Sequence, residues 1–218
     1  MRYKVVCVSR TIGAGGEPIG HVVAERLGFR YFDDEVITLA SRKAGIDPAV
    51  VAKAEQHTSF LTRLMDALAT TPMQVESMLP LGEAAAYYSA QIQPSVTLPQ
   101  QELRRLIQAA IVEIADRGDA VIVAHAASVV LARRKDVLRV LVTASEKTRR
   151  ERLWLDSKLL NEDEAAKAVA ESDRERALYL DRFFDLPDES PTLYDLVINT
   201  DVLRIGQAVG AVAAAAQG

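Results

Sequence analysis

The stretch Val5–Pro18 reads VVCVSRTIGAGGEP and joins a short apolar run, a glycine-rich turn and a helix start. The apolar run Val5–Val8, three valines and a cysteine, is typical of a buried strand in a parallel sheet. Glu17 and Pro18 are typical of a first helical turn, since proline tolerates that position and an acidic side chain complements the helix dipole. A strand, a glycine-rich turn and a helix in this order predict an anion site, because backbone N–H groups face the turn.

The turn departs from the standard phosphate loop, G-x-x-x-x-G-K-[ST]. When that pattern is aligned on Gly15, Arg10 replaces the first glycine, Gly16 the lysine and Glu17 the Ser/Thr. The lysine and the magnesium-binding hydroxyl are both missing, so a tight turn without a ligand stays open as an alternative. Arg10 is a candidate for the missing positive charge. The predicted phosphate cradle consists of Thr11, Ile12, Gly13, Ala14, Gly15, Gly16 and Glu17.

Downstream of this turn, strand-like runs alternate with helical patterns. This alternation predicts an α/β domain with a parallel sheet and helices on both faces. Prolines interrupt residues 46–97, which we interpret as a mostly helical insertion. Further strands are predicted at 29–32, 120–123, 137–142 and 196–198, and helices at 35–42, 97–117, 146–159, 162–184 and 205–216.

The composition narrows the class of protein. The chain has 218 residues, 49% of them apolar and 26% charged, which is ordinary for one globular domain. Its net charge of −4 argues against a nucleic-acid coat, although a local basic pocket remains compatible with it. The single cysteine, Cys7, cannot form an intramolecular disulfide, and no apolar run approaches the ~20 residues of a membrane span. We therefore expect a cytoplasmic protein without nucleic-acid or membrane partners.

Motifs along almost the whole chain resemble the cytidylate kinase-like family, a divergent branch of the nucleoside monophosphate kinases. The turn Val8–Gly20 is similar to that family's S-R-x-x-G-S-G-G turn, which also lacks the lysine. Further matches follow in order at 26–28, 31–33, 120–123, 136–140, 149–152, 173–176 and 193–200. The resemblance implies a P-loop kinase-like three-layer fold in one domain, residues 1–218. Its core would comprise 1–34, 97–154 and 191–218, with a helical acceptor-side insertion at 35–96 and a helical lid at 155–190.

The resemblance also implies an activity. Such kinases transfer the γ-phosphoryl group of ATP, accompanied by Mg²⁺, to CMP, dCMP or a related small acceptor. Arginine suits this role because its planar fork matches phosphate oxygens. The implied catalytic residues are Arg10, Asp33, Arg174 and Arg176; the donor-side or lid residues are Arg149, Arg152, Arg182 and Asn199; the acceptor-side residues are Arg42 and His125. A purely structural role stays open as an alternative for these residues. Asp33 is also suited to cap the helix that follows it, and the lid arginines are also suited to ion pairs with neighbouring acidic residues.

One departure keeps a second hypothesis open. Family members usually carry Gly-Arg after the third strand, whereas this chain has Ala124 and His125. A mostly neutral imidazole cannot give the fixed bidentate charge of an arginine. The alternative is therefore a nucleotide-binding or regulatory protein without turnover. One cysteine and three scattered histidines predict no His/Cys metal site, and the apolar stretches within 60–96 are compatible with a homodimer.

Overall fold

The computed structural model describes residues 3–45, 100–124, 126–156 and 161–218. Within them, one parallel sheet has the strand order β2-β3-β1-β4-β5. The α/β prediction is therefore confirmed. The strands are β1 (Val5–Arg10), β2 (Arg30–Phe32), β3 (Ala120–Val123), β4 (Val137–Thr143) and β5 (Leu196–Asn199).

Seven described helices surround this sheet. Their bounds are α1 (Gly16–Leu27), α2 (Glu35–Ala44), α3 (Gln100–Arg117), α4 (Ala127–Val130), α5 (Glu146–Asp156), α6 (Glu162–Phe184) and α7 (Ile205–Gln217), and a 3₁₀ helix spans Pro191–Leu193. Most lie within two or three residues of the predicted segments. Among the described residues, none of the helices combines the length and the apolar character required to cross a bilayer. Most of the predicted insertion, residues 46–96, lies outside the described residues.

The central strand β1 is buried on both faces. Val6 and Val8 belong to an apolar cluster with α1 and α7, whereas Val5 and Cys7 belong to a second cluster with α2, α3 and α4. Successive side chains of a strand point to opposite faces, so a strand between two helical layers must be apolar at every position. This is why Val5–Val8 reads as a continuous run and not as an alternating one.

The sheet order places a crevice at the carboxyl end of β1. The neighbours of β1 are β3 and β4, neither of which follows it directly in the chain. The connection after β1 runs to β2 on one side of the sheet, whereas the connection after β3 runs to β4 on the other side. Open α/β sheets bind their ligands at such switch points. The turn Thr11–Gly15 lies there, together with the residues that follow β2, β4 and β5.

The helix ends show the expected local chemistry. Gly28 ends α1 with φ 68° and donates its amide to carbonyls of the last turn. Asn161 and Glu164 form a reciprocal capping box at the start of α6. From this start α6 runs without interruption to Phe184. It packs against α5, which brings acidic and basic side chains of the two helices together.

Candidate functional site

The glycine-rich loop between β1 and α1 is tightly folded. The Thr11 amide donates to the Val142 carbonyl at 3.2 Å, and the Ala14 amide donates to the Thr11 carbonyl at 3.1 Å. Gly13 and Gly15 have φ of +74° and +80°, a region in which L side chains are strained. The amides that open α1 have no acceptor inside their own helix, as at every helix N-terminus. The loop therefore offers an anion cradle beside the carboxyl end of the sheet.

Two of the loop glycines also permit close packing. A Cβ on Gly13 would lie 2.7 Å from the Arg149 carbonyl oxygen, in α5. A Cβ on Gly16 would lie 2.5 Å from the Cβ of Arg10. Larger residues would separate the loop from α5 or from β1, so these glycines have a structural role besides access to phosphate.

A cavity of about 470 Å³ opens beside the loop. Residues 10–18 form one wall, and α5 and the segment 200–205 form the others. Its basic side chains are Arg10, Arg152 and Arg204, and its larger apolar side chains include Leu153, Leu203 and Ile205. Glu17 and Asp156 are its acidic side chains, so the cavity combines an anion cradle, charged groups of both signs and apolar side chains.

Arg152 and Thr200 hold the loop in place. Arg152 donates from Nη1 to the Thr200 hydroxyl at 2.9 Å and to the Gly13 carbonyl at 3.3 Å. Its Nη2 donates to the Thr200 carbonyl at 2.5 Å, and the Thr200 hydroxyl donates to the Ala14 carbonyl at 2.8 Å. The structure thus places Arg152, a predicted donor-side residue, at the cavity. Thr200 belongs to the run 193–200 that carries the family resemblance, but the sequence assigned it no role of its own in the site.

Arg149 is committed to an ion pair. It is buried, and it donates from Nη1 and Nη2 to the two carboxylate oxygens of Asp173 at 2.8 and 2.7 Å. Its Nε donates to the Ala144 carbonyl at 3.2 Å. With these contacts, Arg149 joins α5 to α6, and it does not line the cavity beside the loop.

The three predicted arginines of α6 face different surroundings. Residues two apart on a helix are rotated by about 200°. Arg174 is exposed and pairs with Glu171 at 2.5 Å, and Arg182 is also exposed. Arg176 is turned inwards and binds Glu189 through Nε at 2.7 Å and Nη2 at 2.5 Å. Of the three, Arg176 lines a second, smaller cavity that also reaches Thr11.

The carboxylate that binds Arg176 is held by a tyrosine. The hydroxyl of buried Tyr194 donates to Glu189 Oε1. Burial alone would raise the pKa of Glu189, but the hydrogen bonds from Arg176 and Tyr194 outweigh burial and lower it. Burial and the bond to Glu189 raise the pKa of Tyr194 to about 12. The cluster therefore contains a carboxylate, a guanidinium and a neutral phenol at neutral pH.

A second polar group lies on the β2 side of the loop. Arg10 pairs with Glu17, and its Nε is buried without a hydrogen-bond partner. The Tyr31 hydroxyl donates to Asp33 Oδ2 at 3.3 Å. Burial raises the pKa of Tyr31, and the carboxylates of Asp33 and Glu17 raise it further. The N-cap of α2 is Asp34, not Asp33, and it makes no side-chain capping bond.

The remaining predicted positions are less informative. Arg42 is exposed in the last turn of α2. Asn199 accepts the Asp201 amide at 2.9 Å, as an ordinary turn residue does. His125 lies outside the described residues. Across the described ranges, no three His, Cys, Asp or Glu side chains form a group that could hold a metal ion.

Comparisons with known proteins give one family and several structural neighbours. The family model of the cytidylate kinase-like family matches residues 5–202. No curated protein matches the chain. A crystal structure of an uncharacterised protein from Eubacterium ventriosum ATCC 27560 matches with a TM-score of 0.62 at 13% identity, over 97% of each chain.

Two shikimate kinases are also similar in structure. The enzyme from Bacteroides thetaiotaomicron matches with a TM-score of 0.49 at 13% identity, over 95% of each chain. The enzyme from Acinetobacter baumannii, in complex with shikimate, matches with a TM-score of 0.48 at 14% identity, over 96% of this chain and 90% of that chain.

Proposed function

Because this chain belongs to the cytidylate kinase-like family and has the P-loop kinase-like fold, we propose that it transfers the γ-phosphoryl group of ATP to CMP, dCMP or a related small acceptor. The family and the fold support a phosphotransferase as the class. The nucleotide donor and the acceptor are part of the proposal.

The observation that carries the proposal is the cavity beside the glycine-rich loop. Its volume of about 470 Å³ lies within the usual range for small-molecule sites, about 300–1,000 Å³. The loop offers an anion cradle in which two glycines adopt positive φ. The buried Nε of Arg10 has no hydrogen-bond partner, which is an unmet donor at the cavity wall. These features fit a nucleotide with its phosphates at the loop and its base near Leu203 and Ile205.

In this proposal the chain acts mainly by positioning and charge stabilisation. The loop amides and Arg152 hold the donor phosphates. An oxygen of the acceptor phosphate forms a bond to the γ-phosphorus as the bond to the β,γ-bridging oxygen breaks, which yields ADP and the acceptor carrying one more phosphate. Arg176 supplies positive charge beside Thr11, where negative charge moves during transfer.

Magnesium enters only as the companion of ATP, where it neutralises phosphate charge. The described residues contain no three-residue metal group, and Glu17 at the usual Ser/Thr position pairs with Arg10. We therefore assign no residue as a magnesium ligand. For the acceptor we propose the β2 side of the loop, near Tyr31 and Asp33, with Arg42 and His125 as further candidates.

One observation favours a second candidate, a nucleotide-binding protein without turnover. Arg10 is the cation best placed to replace the missing lysine, and the carboxylate of Glu17 already engages it. A nucleotide phosphate would have to compete with that carboxylate. The two candidates share the donor site and differ only in whether an acceptor is phosphorylated.

The test combines binding and turnover. Calorimetry with Mg-ATP measures the donor site, and chromatography of reactions with CMP, dCMP, UMP and AMP measures transfer. Arg152→Gln is expected to weaken ATP binding at least about tenfold, since a charge-assisted bond contributes about 1.5–3 kcal/mol. Arg105→Gln, on the exposed side of α3, is the matched control and should leave binding unchanged. ATP binding without any phosphorylated acceptor would favour the second candidate.

A further inference from the structure

We propose that Glu189 is a positioning residue, which presents one edge of the Arg176 guanidinium to the transferred phosphate while Tyr194 holds Glu189 in place. This inference rests on the proposed phosphotransferase function. It adds a residue that neither the sequence motifs nor the family resemblance singled out.

The bonding of Arg176 leaves one edge of its guanidinium available. Glu189 accepts hydrogen bonds from Nε and Nη2 of Arg176, and within the described part of the chain Arg176 Nη1 makes no hydrogen bond. Arginine carries five N–H donors in a rigid fork, so this arrangement leaves Nη1 for a ligand. Arg149 shows the contrast, because Asp173 and a main-chain carbonyl engage all three of its nitrogens. Arg149 is therefore bonded as a structural residue and Arg176 as a residue that can also bind a ligand.

The second cavity relates Arg176 to the phosphate loop. It has a volume of about 170 Å³, and both Arg176 and Thr11 line it. Thr11 is the first residue of the glycine-rich loop. Leu180, Leu186 and Pro187 form apolar parts of the wall. A cation at such a wall attracts a phosphate more strongly than a cation in water does, because less solvent screens the charges.

The support behind Glu189 is rigid. Glu189 lies in the segment that leads from α6 to β5, two residues before the 3₁₀ helix Pro191–Leu193. The Tyr194 amide donates to the Pro191 carbonyl at 3.1 Å, which anchors the backbone that carries the phenol. The side chains of Arg176 and Glu189 are only 24% and 19% exposed. This support fixes the position of the Arg176 guanidinium. A fixed position matters for catalysis, because a 1 Å misplacement of a catalytic group can lower the reaction rate about 100-fold.

The first test is Glu189→Gln, which preserves shape and removes the charge. We expect kcat to fall about 30-fold, with KM for ATP and for the acceptor within about threefold, since Arg176 would be misplaced during transfer. Glu113→Gln is the control, because Glu113, like Glu189, has two side-chain partners, here Lys43 and Arg117, but lies in the last turns of α3 and does not line either cavity. An unchanged kcat in Glu189→Gln, or a rise of KM alone, would overturn the inference.

A double-mutant comparison separates positioning from general structural support. If Glu189 acts only through Arg176, then Glu189→Gln should lower kcat no further in an Arg176→Ala background. A further loss of the same size in that background would overturn the proposed role. Should Glu189→Gln fail to fold, Tyr194→Phe removes only one hydroxyl and is expected to lower kcat about fivefold, as the loss of one hydrogen bond predicts.

A titration distinguishes failure of this inference from failure of the proposed function. The pKa of Tyr194 is raised by burial and by Glu189, so Glu189→Gln should lower it. Absorbance titration of the phenols, with Tyr194→Phe as the reference, measures this without any turnover. A wild-type chain that phosphorylates no acceptor overturns the proposed function and the catalytic role of Glu189 together. An active wild type in which Glu189→Gln leaves kcat unchanged overturns the inference alone, whether or not the phenol titration changes.

Discussion

Alanine substitution at Gly13 is expected to destabilise the protein more than the same change at Gly15 or Gly28. All three glycines have positive φ, +74°, +80° and +68°. Each alanine should therefore carry a left-handed backbone cost of about 1–2 kcal/mol. An added Cβ meets nothing within 4 Å at Gly15 or Gly28, but at Gly13 it would lie 2.7 Å from the Arg149 carbonyl oxygen.

Gly13→Ala should lower the free energy of unfolding further, because the backbone of α5 would have to move away from the added Cβ. The obstructing atoms belong to the backbone of α5, and the Arg149–Asp173 pair fixes that helix to α6. Overpacking of this kind costs about 1–3 kcal/mol, which brings the expected total for Gly13→Ala to about 2–5 kcal/mol. For a chain of this size each kcal/mol lowers Tm by about 2–4 °C. We expect Tm to fall by about 4–20 °C for Gly13→Ala and by about 2–8 °C for the other two.

Thermal melts followed by circular dichroism measure these shifts, and calorimetry with Mg-ATP measures the consequence for the site. Gly28→Ala lies at the far end of α1 and should bind ATP like the wild type. Gly13→Ala should bind weakly, since the loop can no longer rest against α5. Equal Tm shifts in all three variants would refute the close contact between the loop and α5 on which this reasoning depends.

Three further substitutions test separate parts of the structure. Ala124 has φ +64°, so Ala124→Gly should relieve left-handed strain and raise Tm by about 2–4 °C; a lower Tm would contradict this. Glu17→Gln should tighten ATP binding about fivefold by calorimetry, because it frees Arg10 and removes a half-exposed negative charge beside the phosphates. Weaker binding would contradict the placement of the ATP phosphates beside Arg10 and Glu17. Asp195→Asn should lower the free energy of unfolding by about 1–3 kcal/mol at pH 7 in denaturant titrations, because Asp195 accepts three hydrogen bonds from Arg139 at 2.6–2.9 Å. Those bonds lower the pKa of Asp195 from 3.8, so its contribution to stability is full above about pH 5 and is lost as the pH falls through the folded value. The stability difference between the two proteins should therefore shrink as the pH falls below 3.8, and a constant difference would be evidence against this pair.

Much of the architecture was predictable because it depends on local patterns. The apolar run Val5–Val8, the glycine-rich turn and Gly28 each specify a strand, a loop or a helix end from neighbouring residues alone. The strand order was not predictable in this way, since it depends on pairing between segments far apart in the chain. β1 lies beside β4, and these two strands are separated by more than 120 residues.

The candidate site was predictable in outline but not in its bonding. The sequence places several arginines near the expected lid, but it does not show which of them an acidic residue engages. Asp173 binds Arg149 across 24 positions, and Glu189 binds Arg176 across 13 positions after the chain has turned back. The role of Thr200 could not be predicted from the run 193–200, because its bonds to Ala14 and Arg152 exist only once β5 lies beside the loop.

The central claim is that this chain moves the terminal phosphate of ATP to a small nucleotide. The most direct measurement follows the ³²P label of γ-labelled Mg-ATP in the presence of CMP, dCMP or UMP. The account predicts that the label appears in a nucleoside diphosphate over many turnovers, with one ADP formed for each labelled product. ATP that binds while its label stays in ATP or is released only as inorganic phosphate, with every acceptor tried, would contradict it.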